Sequence, residues 1–171
     1  MGSIISFIRH LWTINHPPEL AKTSKAIRIG LLGASWIAPI AVIIPAKSHP
    51  EVIVAAIAAR DKFKANAHAK THGILIVHES YQALLDDSAI DVIYIPLPNG
   101  LHYEWAIRAL RAGKHVLLEK LSTPNAMEAK ALIDFHGSLP SSTRPVLLEA
   151  FHYRFHPAWQ QLLSLVSKAE G

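Results

Sequence analysis

Six short apolar runs punctuate the chain, and polar stretches with helical spacing separate them. The runs are Ile27 to Leu32, Val52 to Ala58, a shorter one at Ile74 to Val77, Asp91 to Ile95, His115 to Glu119 and Val146 to Phe151. Continuous apolar runs of this length, without strict alternation, predict strands buried on both faces. Between them the spacing predicts helices over Trp36–Ser48, Lys62–His72, Tyr81–Leu85, Leu101–Ala112, Asn125–Phe135 and Pro157–Lys168. Pro39 is tolerable in the opening turn of the first helix, whereas Pro45 is expected to kink or split it. Strand and helix in alternation predict a parallel, doubly wound α/β sheet with all strand carboxyl ends along one edge, where ligands bind.

The chain before this alternation is different in kind. Ile4 to Trp12 is apolar but interrupted by Arg9 and His10, too short to span a bilayer and without a small-residue cleavage site. It reads as a short amphipathic helix that packs on the domain, ended by Pro17 and Pro18 and followed by a polar arm to Lys25. The resulting division is an N-terminal arm (1–25), a single α/β domain (26–156) and a C-terminal helix (157–171). A soluble, cytoplasmic protein is expected, with no membrane partner.

Composition narrows the chemistry. At 171 residues, half of them hydrophobic, the chain can bury a sizeable core. The absence of cysteine excludes disulfides, thiolate metal sites and a cysteine nucleophile. A formal charge of +4 and a pI near 9.4 suit an anionic ligand, but Lys and Arg are scattered rather than striped, so nucleic acid ranks low as a partner. His68 and His72, like His152 and His156, stand four apart, yet neither pair has a third ligand nearby; a structural role is expected and no metal site.

The candidate chemistry lies where the strands end. After Ile27–Leu32 the chain reads Gly33-Ala34-Ser35-Trp36-Ile37-Ala38, a partly kept G-x-G-x-x-G/A fingerprint. Gly33 allows the sharp reversal, and the N–H groups of the following helix then face a pyrophosphate. Ser35 stands where the second glycine belongs and offers a hydroxyl to a phosphate. An ordinary strand-to-helix turn would also account for the stretch. The second strand runs into Arg60-Asp61, with Lys62 and Lys64 behind. Arg60 can pair with a 2′-phosphate, favouring NADP, while Asp61 could accept from a ribose 2′-OH as in NAD sites. A solvated helix start fits the same residues. The third long run leads into Pro96-Leu97-Pro98-Asn99-Gly100-Leu101-His102, which places Asn99, as an N-cap, and His102 at the mouth of the crevice. The fourth leads into Glu119-Lys120, where a lysine can meet both nicotinamide and a substrate hydroxyl and exchange a proton. The last leads into Phe151-His152-Tyr153-Arg154-Phe155-His156-Pro157, an aromatic and basic cluster.

Taken in order, these motifs, with Gly113-Lys114-His115-Val116-Leu117-Leu118 before Glu119, resemble the N-terminal half of a Gfo/Idh/MocA-type oxidoreductase. The resemblance covers roughly Ala26 to Gln160 and leans towards the dimeric dihydrodiol dehydrogenase and NADP-dependent D-xylose 1-dehydrogenase branch. It implies a Rossmann domain binding NADP, NAD being the lesser alternative, and oxidation of a sugar or trans-dihydrodiol hydroxyl by hydride transfer. It also implies cofactor contacts from Gly33, Ala34, Ser35, Trp36, Ile37, Arg60, Pro98, Asn99, His102 and Glu119. Lys120 takes the catalytic position, and Tyr153 and Arg154 are candidate substrate contacts. The family's Glu-Lys-Pro becomes Glu119-Lys120-Leu121, which weakens the rigid presentation of Lys120. Family members continue into a second α/β domain that completes the active site and commonly the dimer interface, so 157–171 reads as the beginning of one. For this chain alone the expectation is cofactor binding with little turnover, and the alternative is a truncated, non-catalytic nucleotide- or partner-binding module. A homodimer is expected only where a second domain is supplied.

Overall fold

The computed structural model describes residues 17–169, together with Ile4, Ser6, Phe7, Trp12 and Thr13. In chain order the elements are β1 (Ile27–Leu32), a π-helical turn (Pro39–Ile43) running into α1 (Ile44–Lys47), β2 (Val52–Ala58), α2 (Lys62–His72), β3 (Ile76–His78), α3 (Tyr81–Asp86) and β4 (Val92–Ile95). A 3₁₀ turn (Asn99–Leu101), α4 (His102–Arg111), β5 (His115–Leu118), α5 (Ala126–Ser138), β6 (Leu147–Glu149), a second 3₁₀ turn (His152–Phe155) and α6 (Pro157–Ala169) follow.

The six strands form one sheet in the order β3-β2-β1-β4-β5-β6, and every pair is parallel. The chain winds outward from β1 to β3, returns to the middle, and winds outward again from β4 to β6. This is the doubly wound Rossmann arrangement, and its direction reverses between β1 and β4, opening a crevice beyond their carboxyl ends.

The central stretches of the strands are apolar because the sheet is covered on both sides, and the polar residues Arg28, His78, His115 and Glu149 stand near strand ends. Leu32, Ile93 and Ile95 pack with Leu84, Leu110 and Leu132 from α3, α4 and α5. Leu31, Ile57 and Tyr94 face the other way, against Val42, Ile43 and Ala69. Gly30 marks where α3 comes closest to β1. A Cβ there would stand 2.6 Å from Leu84 Cδ2 and 3.2 Å from Ile90 Cγ2, so a side chain would force the buried Leu84 to repack.

The helix expected from Trp36 begins at Pro39, and Pro45 does not split it. Ile44 N–H bonds to Pro39 O, five residues back, and this wider turn accommodates a proline that has no N–H of its own to donate. Asn99 does not cap the helix after it; a 3₁₀ turn intervenes, and α4 starts at His102 without a side-chain cap. Asn125 does cap α5, accepting from Glu128 N–H while its amide reaches Glu128 Oε1. Strand β6 is shorter than its apolar run, and β3 lies slightly later than expected.

Of the N-terminal helix read from the sequence, Ile4, Ser6, Phe7 and Trp12 are described; they are helical and exposed, so their apolar side chains do not bury against the sheet. Ile5, Ile8, Arg9, His10 and Leu11 lie outside the described residues. The polar arm is tied down: Lys22 Nζ donates to Ala46 O, Lys47 O and His49 O at the carboxyl end of α1. Those carbonyls otherwise lack helical partners, and a cation suits the negative end of the helix dipole. Among the described residues no helix is long and apolar enough to cross a membrane.

Candidate functional site

The carboxyl ends of β1, β2, β4 and β5 converge on two adjoining clefts that share Pro96 and Leu97. They are the two ends of one groove laid across the top of the sheet, at the β1–β4 reversal.

The first cleft, about 330 Å³, is floored by Gly33 and walled by Ala34, Ser35, Arg60, Asp61, Lys64, Tyr81 and Pro98. Gly33 turns with φ of 96°, a conformation that L residues with a Cβ rarely adopt. A Cβ would also stand 3.1 Å from Leu97 Cδ2 and 3.9 Å from Tyr81 Oη, partly filling the groove. Gly33 N–H is held by Ala58 O at 2.6 Å, but the N–H groups of Ala34, Ser35 and Trp36 bond to nothing among the described residues. Because the helix starts only at Pro39, the donors available to an anion come from this loop and not from a helix terminus. Ser35 Oγ accepts from Ile37 N–H at 3.4 Å, which leaves its own O–H able to donate.

Arg60 and Asp61 differ in how far they are committed. Asp61 caps α2, its Oδ1 accepting from Lys64 N–H at 3.1 Å. Arg60 is exposed and makes no hydrogen bond or ion pair among the described residues. The free cation, not the engaged carboxylate, is the group open to a ligand.

The second cleft, about 230 Å³, is lined by Trp36, Ile37, Glu119, Lys120 and His152 besides the shared Pro96 and Leu97. Lys120 is exposed, with its amine unpaired among the described residues. Glu119, by contrast, is buried. Its Oε1 accepts from Tyr94 Oη at 2.7 Å and its Oε2 from Lys120 N–H at 3.3 Å. Burial, and then the neighbouring Glu119 carboxylate, push the Tyr94 phenol well above its ordinary range, so Tyr94 remains a donor.

His102 is not at the mouth of the crevice. It is fully buried beneath it, with Nε2 facing Leu97 O at 2.6 Å and Nδ1 facing Leu121 O at 2.7 Å. Each ring nitrogen faces a carbonyl oxygen, and which of the two carbonyls the ring N–H bonds depends on the tautomer. The ring thereby ties together the two loops on which Leu97 and Lys120 are carried. Ser122 N–H adds a bond to Glu149 Oε1 at 2.9 Å. These anchors hold the Glu119-Lys120-Leu121 loop without the proline.

The remaining sequence candidates are dispersed. Asn99 lines neither cleft. Tyr153 and Arg154 line a separate cleft on the β6 side with Leu148 and Trp159, and Tyr153 stacks edge-on against Trp159 at 5.2 Å. It is His152, read from the sequence only as one of a histidine pair, that stands beside Lys120. No spacing signal in the sequence singles out His152 from its neighbours; the 3₁₀ turn at His152–Phe155 decides which of them faces the groove.

A larger cavity, about 650 Å³, lies at the opposite end, where β2 begins at Val52–Val54. Its amines are largely spent, Lys22 on the α1 carbonyls and Lys47 on Glu19 at 2.7 Å. Sheets of this topology bind at the other edge.

The GFO_IDH_MocA family, described as an oxidoreductase family with an NAD-binding Rossmann fold, matches residues 27–138. D-xylose 1-dehydrogenase (NADP(+)) 2 of Haloferax volcanii is 42% identical over 142 residues, covering 83% of this chain and 42% of the relative. Trans-1,2-dihydrobenzene-1,2-diol dehydrogenase of Xenopus tropicalis is 35% identical over 125 residues, covering 73% of this chain and 36% of the relative. The crystal structure of KijD10, a 3-ketoreductase from Actinomadura kijaniata in complex with NADP and TDP-benzene, superimposes with a TM-score of 0.72 at 35% identity, covering 84% of this chain and 42% of that one. The chain thus spans less than half the length of these relatives. Topology, groove and sequence agree: the chain belongs to the GFO_IDH_MocA oxidoreductase family.

Proposed function

We propose that this chain binds NADP along the groove and forms the cofactor-holding part of a dehydrogenase that oxidises a hydroxyl of a sugar, such as D-xylose, or of a trans-dihydrodiol. The observation that carries the reading is the continuity of the two clefts through Pro96 and Leu97, with an uncommitted arginine at one end and a lysine at the other. Gly33, Ala34 and Ser35 cradle the pyrophosphate with backbone N–H groups and a hydroxyl. Arg60, backed by Lys64, pairs with the 2′-phosphate through its planar fork. The Haloferax relative named for NADP and the KijD10 complex with NADP support that choice.

The cofactor supplies the hydride acceptor. Lys120 hydrogen-bonds the reacting hydroxyl and passes its proton on to water as the carbon gives up its hydride. Trp36 and Ile37 shield one face of the nicotinamide end. Trp36, Lys120 and His152 are all exposed, so this chain by itself leaves the reacting end open to water, and strong binding with slow turnover is expected.

Parallel titration with NADP and NAD, on the unaltered chain and on Arg60→Ala, tests the reading. Selective loss of NADP affinity in the variant supports it. Equal affinity for both nucleotides in both proteins removes the 2′-phosphate assignment, and rapid reduction of NADP with D-xylose by the chain alone contradicts the expectation of slow turnover.

A further inference from the structure

The nicotinamide end of the groove contains a charge that the proposed chemistry does not use. Glu119 is 7% exposed and Tyr94 not exposed at all, yet they meet in a hydrogen bond of 2.7 Å. They come from different strands. Tyr94 lies on β4 in register with Leu117 of β5, and Glu119 follows two residues later on the same face. The phenol therefore reaches up from the core to the carboxylate at the rim. Both carboxylate oxygens accept hydrogen bonds, one from Tyr94 Oη and one from Lys120 N–H, the pattern that an ionised carboxylate takes. A buried acid with no donor in the core would instead turn outward to water.

We infer that Tyr94 is a positioning residue that fixes Glu119 as a buried negative charge beneath the nicotinamide, so that the site binds the oxidised cofactor more tightly than the reduced one. The inference rests on the placement of the nicotinamide end beside Lys120. Its physical basis is that oxidation state changes the charge of the ring: NADP⁺ carries a positive charge there and NADPH does not. A neighbouring carboxylate attracts the first and is indifferent to the second. The Lys120 amine lines the same cleft and carries the opposite charge only in its protonated form, and it is exposed. Charges in contact with water interact several-fold more weakly than buried ones, so Glu119 dominates the difference. The consequence is an advantage for NADP⁺ when both forms compete for the site, as suits a protein that takes a hydride from a hydroxyl compound.

The test needs binding and no turnover. Dissociation constants for NADP⁺ and NADPH are measured on the unaltered chain, on Glu119→Gln and on Tyr94→Phe. Glutamine keeps an acceptor for the phenol and removes the charge; phenylalanine keeps the charge and removes its anchor. The expected result is a preference for NADP⁺ that falls about tenfold in Glu119→Gln and by a smaller factor in Tyr94→Phe. Should Tyr94→Phe fail to fold, Glu119→Gln decides whether the charge is felt. Because Phe keeps the packing of the Tyr ring and lacks only its hydroxyl, a folded Tyr94→Phe with the ratio unmoved removes the positioning role, and an unmoved ratio in Glu119→Gln removes the inference entirely while leaving nucleotide binding intact. Binding of neither form by the unaltered chain removes the nucleotide reading, and this inference with it.

Discussion

The two ends of the groove are built on opposite plans. At the Arg60 end the ligand-facing groups are exposed side chains and loop N–H groups that few internal bonds restrain. At the Lys120 end the supporting groups are tied to partners below the surface: buried Tyr94 on buried Glu119, buried His102 against two carbonyls, and half-buried Ser122 on half-buried Glu149. Exposed charges choose between ligands and leave the fold alone when exchanged. Buried polar groups place reacting atoms and cannot be exchanged without leaving a partner unsatisfied. On the proposed reading, discrimination between NADP and NAD is thus separable from folding, whereas the geometry around Lys120 is not.

The sharpest break of this contrast is His102→Ala. It removes a fully buried ring that links the carbonyls of Leu97 and Leu121, and a loss of about 2–4 kcal/mol in urea unfolding is expected, from the lost buried hydrogen bond together with the cavity left behind. A loss under about 0.5 kcal/mol, the ordinary size of a surface substitution, would show that the ring ties nothing together. Gly33→Val comes next, because it sets a β-branched residue at a φ of 96° and drives a side chain towards Leu97. Stability should fall by about 1–3 kcal/mol, and nucleotide binding should be lost in calorimetry even where the variant is folded.

Arg60→Ala belongs to the other end and should behave in reverse. Unfolding should be unchanged within about 0.5 kcal/mol, while NADP affinity falls at least about tenfold, the equivalent of one charge-assisted hydrogen bond. If its melting temperature dropped as far as that of His102→Ala, the division between the two ends would be wrong. The smallest effect is expected far from both. Lys22→Met removes the cation at the end of α1 and should cost about 0.5–1 kcal/mol, with cofactor affinity unaltered.

Much of this was legible in the residue order. The apolar runs at 52–58, 91–95 and 115–119 are nearly continuous, and only strands covered on both faces tolerate that, so a parallel sheet with helices on either side follows. Gly33 directly after such a run marks a sharp turn, and Arg60 and Lys120 directly after others fall at the carboxyl edge of the sheet, where the cofactor is proposed to bind. Less accessible were positions that depend on local backbone detail. Trp36–Ala38 have helical composition, but the chain must first clear Gly33, which delays the helix to Pro39. Asn99 has capping chemistry, yet the prolines before it set up a 3₁₀ turn that uses another geometry.

Sequence alone determined the alternation of elements and the edge on which ligand groups collect, because strand burial and turn stereochemistry act over a few residues. Tertiary structure decided which of those groups face the groove. His102 turned inward, His152 came to stand beside Lys120 in place of Tyr153 and Arg154, and Tyr94 met Glu119 across 25 positions of chain. Such pairings depend on the register of neighbouring strands and on which buried donor finds which acceptor, and neither quantity exists until the sheet has closed.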